Sequence, residues 1–139
     1  QQYFYDSHLH PELFDNEILF YHDKEKSTWF EPFISKINSL LDEYNIKLDT
    51  ATQLGSSIGR TTFELTKRFD RVIGVELCAK FLDVAIKLQN EGSLDLKLSS
   101  KNDQTINIDI TDNLSVPKAV FKQMTWIPNE IPKSDLVLF

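Results

Sequence analysis

The chain has few of the residues that mark specialised classes of protein. Its 139 residues include one cysteine, Cys78, which excludes an internal disulfide. This composition is typical of a reducing compartment, and we expect a cytoplasmic protein. No apolar run approaches the about 20 residues that span a bilayer, and the polar, acidic start QQYFYDSHLHPE does not resemble a secretory signal.

Basic residues are also a minority. The chain has 15 Lys and Arg against 21 Asp and Glu, and its net charge is -6. Such a chain offers no positive field to phosphates, which argues against nucleic acid and anionic membranes as partners. We expect one domain over residues 1–139, whose partner is a small-molecule substrate, another protein or an adjacent domain.

The middle of the chain alternates strand and helix patterns. KLDTATQL predicts a short strand, and the apolar face of the helix after it is formed by Ile58, Thr62, Leu65 and Phe69. Glu64 and Arg68 are spaced for an ion pair on its exposed side. RVIGVEL predicts a strand buried on both faces, and CAKFLDVAIKLQNE predicts a helix that stops at Gly92. This alternation predicts an α/β fold, a parallel sheet with flanking helices.

Two further regions surround this core. Residues 1–47 are expected to form an N-terminal lid and an amphipathic helix capped by Ser27. The predicted apolar face of that helix consists of Phe30, Phe33, Ile34, Ile37, Leu40, Leu41 and Tyr44. Within the core 48–139, LDLKLSS and TINIDI predict a β-hairpin insertion over about 94–110, and KAVFKQM and SDLVLF predict two more strands. So apolar a last strand belongs inside a sheet. Residues 136–139 are therefore either the final strand of a very small sheet or, as we expect, part of a fold that is incomplete at Phe139.

The stretch QLGSSIGR, residues 53–60, joins the first strand to the first core helix. Glycine at Gly55 and Gly59 lets the backbone approach a ligand, and the carboxyl end of a parallel strand is where ligands bind. Glu76 ends the next strand 21 residues after Gly55, close to the about 20 expected of an acid that accepts hydrogen bonds from a ribose. The spacing lacks the third glycine of a pyrophosphate loop, which favours a cofactor without phosphate; a plain structural turn remains the alternative.

The segment ATQLGSSIGRTTFELTKRFDRVIGVELCAKFL resembles the first motifs of class I S-adenosylmethionine-dependent methyltransferases, which have a Rossmann-like sheet. In detail it is similar to the methyltransferase domain of ovothiol biosynthesis, which methylates a ring nitrogen of mercaptohistidine. The likeness is specific around residues 53–81 and looser elsewhere. It implies S-adenosylmethionine as the cofactor, held by Gln53, Gly55, Ser57, Gly59, Glu76, Leu77, Thr125 and Trp126.

Two positions depart from that family. Gln53 stands where the family has an acid for the amino group of the cofactor, and an amide brings no charge to an ammonium. Thr125 stands where a second acid is expected near the adenine, although Trp126 beside it is suited to stacking on the base. Two functions therefore stay open, a methyltransferase acting on a small-molecule heteroatom and a degenerate, non-catalytic domain that serves as a structural or interaction module.

Other reactive residues favour structural roles. His8 and His10 have a spacing found in metal sites, but no further histidine cluster completes a ligand set, so we expect no metal. Cys78 has no neighbouring base and is interpreted as a small buried residue. The resemblance offers Tyr5 and Tyr21 as groups that close over the cofactor, and packing aromatics are the competing interpretation.

Overall fold

The structure is a computed structural model that describes residues 11–22, 28–98, 104–124 and 132–139. The helices are α1 (Pro11–His22), α2 (Phe30–Glu43), α3 (Arg60–Leu65) and α4 (Ala79–Glu91), with a short 3₁₀ helix at Val116–Lys118. The strands are β1 (Thr50–Leu54), β2 (Arg71–Glu76), β3 (Ser93–Lys97), β4 (Thr105–Asp109), β5 (Ala119–Gln123) and β6 (Leu136–Leu138). No helix of the described ranges is long and apolar enough to cross a membrane.

Strands β1, β2, β5 and β6 form the parallel sheet of the described residues, in the order β5-β2-β1-β6. The predicted α/β class, with helices flanking a parallel sheet, is therefore confirmed. The first three parallel strands step outward in one direction, and β6 then pairs with the opposite side of β1. The strand order thus reverses between β1 and β6, and such reversals leave a crevice at the carboxyl ends of the strands.

Strand β2 lies in the middle of this sheet, between β1 and β5. Its residues 72–76 are all buried, which confirms the prediction of a strand covered on both faces. Helix α4 follows it and ends at Glu91, and Gly92 is its left-handed C-cap, so the predicted stop at Gly92 is confirmed. These elements bring the loop after β1 and the end of β2 to one edge of the sheet.

The predicted hairpin is also confirmed. Strands β3 and β4 pair antiparallel, with Ser93 opposite Asp109. Ile106 and Ile108 point inward and belong to the same core cluster as Phe14 and Ile18 of α1. The N-terminal helix therefore packs on the hairpin, and the Nδ1 atom of His22 lies 3.1 Å from the carbonyl oxygen of Asn107.

Helix α2 covers the sheet with a narrower stripe than its sequence predicts. Its buried apolar residues are Phe30, Ile34, Ile37 and Leu41. Phe33, Leu40 and Tyr44 were expected on the same face, but they are exposed. These three residues lie along one edge of the predicted apolar face. That edge is directed away from the core cluster that contains Ala51 and Val72. The cap predicted at Ser27 lies outside the described residues.

The predicted ion pair between Glu64 and Arg68 is wrong. Helix α3 ends at Leu65, and the next residues continue in tighter turns in which the amide of Lys67 donates to the carbonyl of Glu64. Such turns bring residues three apart together, so Glu64 pairs with Lys67 at 3.0 Å. Arg68 instead reaches Asp42 of α2, with 2.6 Å between Nη2 and Oδ1. The four residues predicted as the inner face of this segment, Ile58, Thr62, Leu65 and Phe69, are all buried.

Candidate functional site

A cleft of about 370 Å³ opens at the carboxyl end of β1. Its floor is the loop after β1, and its walls come from α1, from the start of α2 and from Arg60. This position adjoins the reversal of strand order, where open α/β sheets bind their ligands. The volume lies within the roughly 300–1,000 Å³ of small-molecule sites. The cleft brings together three of the predicted site residues, Gln53, Gly55 and Ser57.

The loop after β1 turns through three residues with positive φ. The angles are 78° at Gly55, 51° at Ser57 and 97° at Gly59. Glycine adopts such angles without steric cost, whereas a serine does so only when its surroundings hold it there. Ser57 is held by two acids, since its backbone N–H donates to Glu76 Oε2 at 2.8 Å and its hydroxyl donates to Glu17 Oε2 at 2.6 Å.

Most of the amide groups of this loop are engaged within the protein. The N–H groups of Gly55 and Ser56 both donate to the carbonyl of Val75, and that of Gly59 donates to the carbonyl of Ser56. With the Ser57 amide bound to Glu76, these four amides are not directed at a ligand. A phosphate cradle needs several such groups pointing outward. The loop geometry therefore disfavours a phosphate ligand, in agreement with its sequence spacing.

Glu76 supports the loop from behind. It is buried at the end of β2, and its Oε1 accepts a hydrogen bond of 2.9 Å from the amide of Cys78 while Oε2 accepts that of Ser57. It does not line the described cleft. A carboxylate oxygen has more than one lone pair, so both bonds leave capacity for a ribose hydroxyl. That role remains a prediction, whereas the bracing of the loop is a feature of the structure.

The amide of Gln53 is oriented by helix α3. Its Oε1 accepts a hydrogen bond of 2.7 Å from the buried hydroxyl of Thr62. The amide oxygen is therefore engaged, and the NH₂ group is the part of the amide that remains available to a ligand. An NH₂ group only donates. Gln53 is thus suited to a carbonyl or carboxylate of a ligand and not to an ammonium.

Ser56, one of the residues that line the cleft, has a buried hydroxyl without a partner among the described residues. Its side chain is 2% exposed, and its Oγ has no hydrogen-bond partner among the described residues. Leaving a buried hydroxyl unpaired costs about 1–3 kcal/mol. The Cβ atom of Ser56 lies beside Gly74 of β2, so the hydroxyl is enclosed between the loop and the sheet.

Two residues that the sequence did not single out complete the walls. Glu17 lines the cleft from α1, and Arg60 lines it from the start of α3. Arg60 Nη1 donates to the carbonyl of Phe20 at 2.6 Å, and its guanidinium lies 3.8 Å from the ring centroid of Phe30 and 5.7 Å from that of Tyr21. Arg60 therefore ties α1 and α2 together across the cleft. A signal for Glu17 existed, since it interrupts the helical spacing of Phe14, Ile18 and Tyr21.

The ionisation of the cleft follows from burial. Burial raises the pKa of Tyr21 far above its usual range, so its phenol is neutral at physiological pH. Burial also lowers the pKa of Arg60, although a guanidinium starts so high that it stays charged. Tyr21 packs against the core cluster and also lines the cleft. Packing is therefore a feature of the structure, and closure over a cofactor stays a prediction.

The remaining predicted residues lie around or outside the cleft. Gly59 is buried under Phe63 and Phe121, and the carbonyl of Leu77 accepts a hydrogen bond from Gln123. Cys78 is buried, as expected, at the N-cap of α4. Thr125, Trp126, Tyr5, His8 and His10 lie outside the described residues. No group of three potential metal ligands occurs in the part of the chain that the structure describes.

Comparison of the sequence with models of known protein families found no match, and comparison with curated proteins found none. The chemistry of the cleft therefore carries the functional assignment.

Proposed function

We propose that this chain is a Rossmann-like methyltransferase domain that binds S-adenosylmethionine in the cleft after β1. Its methyl acceptor would be a heteroatom of a small molecule, such as a ring nitrogen of mercaptohistidine. One observation carries the proposal: the loop that lines a cleft at the carboxyl end of β1 contains Ser56, whose buried hydroxyl has no partner among the described residues.

The topology supports this class of domain. Numbered along the chain, the parallel strands follow the order 3-2-1-4, which is the first part of the Rossmann strand order. The glycine loop follows the first of these strands, and Glu76 ends the second. Both lie at the carboxyl edge of the sheet, where a nucleoside is bound in this class of fold.

The donor set fits a cofactor that has no phosphate. The engaged loop amides offer nothing to a pyrophosphate, and the carboxylate of Glu17 would repel it. Gln53, Gly55, Ser56 and Ser57 would hold the amino acid end of the cofactor, and Gly59, Glu76, Leu77, Thr125 and Trp126 belong to the proposed adenosine side. When bound, S-adenosylmethionine supplies an activated methyl group on a positively charged sulfur.

The contribution of the chain to the reaction would be positioning. Methyl transfer needs a nucleophile aligned with the methyl group, and holding two reactants in line lowers the barrier without an acid or base. Tyr21, Trp29 and Phe30 supply apolar walls of the cleft, against which an apolar part of the ligand would pack. The neutral phenol of Tyr21 adds a hydrogen-bonding group that carries no charge.

Calorimetric titration with S-adenosylhomocysteine tests the proposal. We expect binding with a Kd in the roughly micromolar range, because this product shares the adenosine and amino acid groups of the cofactor. ADP is the matched control, and we expect no binding because the loop amides are engaged. A folded sample that binds neither compound would overturn the assignment.

Replacing Ser56 with alanine should separate stability from binding. We expect Ser56→Ala to leave the free energy of unfolding unchanged or to raise it by about 1 kcal/mol, since it removes an unpaired buried hydroxyl. The same change should weaken S-adenosylhomocysteine binding roughly threefold to tenfold, the value of one hydrogen bond. Urea denaturation and calorimetry measure the two effects, and Ser39→Ala on the exposed side of α2 is the control.

A degenerate, non-catalytic domain is the second candidate. The observation that favours it is the internal pairing of the loop, in which four amides and both oxygens of Glu76 are bonded within the protein. Such a loop keeps its shape without a ligand. No S-adenosylhomocysteine binding by the folded wild type would favour this candidate.

A further inference from the structure

The carboxylate that lines the cleft comes from helix α1 and not from the end of strand β1. At the end of β1, Gln53 presents an NH₂ group, because its oxygen is bonded to Thr62. An ammonium group in the cleft needs an acceptor, and a charged one binds it more strongly than an amide. The carboxylate that lines the cleft is Glu17, contributed by α1.

The carboxylate of Glu17 is placed to accept such a group. It is half-buried, and its hydrogen bond from Ser57 uses Oε2. An ionised carboxylate has about four acceptor positions, so this bond fixes the orientation of the group without exhausting it. Among the described residues Glu17 forms no ion pair, since the salt bridges there involve other acids.

The helix that carries Glu17 is held in place on three sides. Phe14 and Ile18 are buried in the cluster shared with the hairpin, and Arg60 bonds to the carbonyl of Phe20 in the last turns of α1. His22 contacts the backbone of Asn107 beyond the end of the cleft. A charged group on so anchored an element is already oriented before a ligand arrives, which lowers the entropic cost of binding.

We infer that Glu17 is the acceptor for the ammonium group of an α-amino acid ligand, in place of an acid at the end of β1. This inference rests on the proposed binding of S-adenosylmethionine, whose amino acid end carries that ammonium. Gln53 then donates to a ligand oxygen, and residues of β1 and α1 together hold the amino acid end of the ligand. The N-terminal helix is accordingly part of the binding site and not only a cover over the hairpin.

Calorimetry with two ligands and matched variants tests this role. S-adenosylhomocysteine carries the ammonium, whereas 5′-methylthioadenosine has the nucleoside and sulfur but no amino acid. We expect Glu17→Gln to weaken S-adenosylhomocysteine about tenfold to a hundredfold, the value of a charged hydrogen bond, and to leave 5′-methylthioadenosine unchanged. Glu12→Gln, on the exposed part of the same helix, should alter neither.

A compensating change distinguishes a charge effect from a structural one. Gln53→Glu keeps an oxygen for Thr62 and returns an acid to β1, so adding it to Glu17→Gln should restore most of the lost affinity. Equal loss for both ligands, or no loss in Glu17→Gln, would overturn the role of Glu17 while wild-type binding leaves the proposed function standing. A folded wild type that binds neither ligand would overturn both.

Discussion

Replacing Glu76 with alanine should lower the free energy of unfolding by about 2–5 kcal/mol. The reason is that its two oxygens accept the backbone N–H groups of Ser57 and Cys78, at 2.8 and 2.9 Å. Each donor left unpaired in a buried site costs about 1–3 kcal/mol. Ser57 also loses one of the two bonds that hold its positive φ. Urea denaturation followed by circular dichroism measures the change.

Two variants sharpen this test. Glu76→Gln retains one acceptor oxygen and should cost roughly half as much, whereas Glu43→Ala at the exposed end of α2 should stay within about 0.5 kcal/mol of the wild type. An unfolding free energy unaffected by Glu76→Ala would contradict the bracing role. Because the alanine variant disturbs the loop itself, any loss of ligand binding in it is not evidence for a ribose contact.

Replacing Gly59 with alanine should lower the free energy of unfolding by about 2–5 kcal/mol. The φ angle of 97° costs an L-residue about 1–2 kcal/mol. An added Cβ would also lie 2.9 Å from Cε2 of Phe63 and 3.1 Å from Cζ of Phe121, inside van der Waals contact. Overpacking of that kind costs about 1–3 kcal/mol. Denaturant unfolding of the variant measures the sum.

A double-mutant cycle separates the two causes. Phe63 and Phe121 pack edge to face with 5.5 Å between their centroids, so a shift of one ring away from Gly59 would disturb its contact with the other. Phe121→Leu removes the ring beside Gly59, and the cost of Gly59→Ala should fall in that background because part of the clash is gone. Strictly additive effects would show that backbone conformation alone requires glycine. A Gly59→Ala protein of normal stability that cannot bind S-adenosylhomocysteine would instead show that the glycine makes room for a ligand.

The elements of the fold were predictable because each one has a local pattern. Alternation identified the hairpin, the apolar run identified β2, and Gly92 marked the end of α4. The errors arose where the outcome depends on the length of a helix or on the element that packs against it. Glu64 and Arg68 were paired on the assumption of a continuous helix, which ends at Leu65. The apolar stripe of α2 was too wide because the sequence does not reveal how much of the helix the sheet covers.

The site was predictable only in part, for a related reason. The glycine loop and Glu76 belong to neighbouring segments, and their spacing placed them at one edge of the sheet. Their physical roles were not visible in the sequence. Glu76 accepts the amides of Ser57 and Cys78, and the other three loop amides donate to the backbone carbonyls of Val75 and Ser56. The sequence also could not show that the hydroxyl of Ser56 has no hydrogen-bond partner among the described residues. That property depends on which groups the folded chain places around it.

The sequence determined the class of fold and the position of the loop, since side-chain periodicity and glycine spacing are properties of short segments. The walls of the cleft depended on tertiary contacts. Glu17 and Ser57 are 40 residues apart, as are Arg60 and Phe20, and they meet because α1 packs on the hairpin that the chain forms later. The carboxylate of Glu17 therefore reaches the cleft through the packing of α1 and not through the glycine loop. Contacts between residues so far apart in the chain produce no periodic pattern from which they could be predicted.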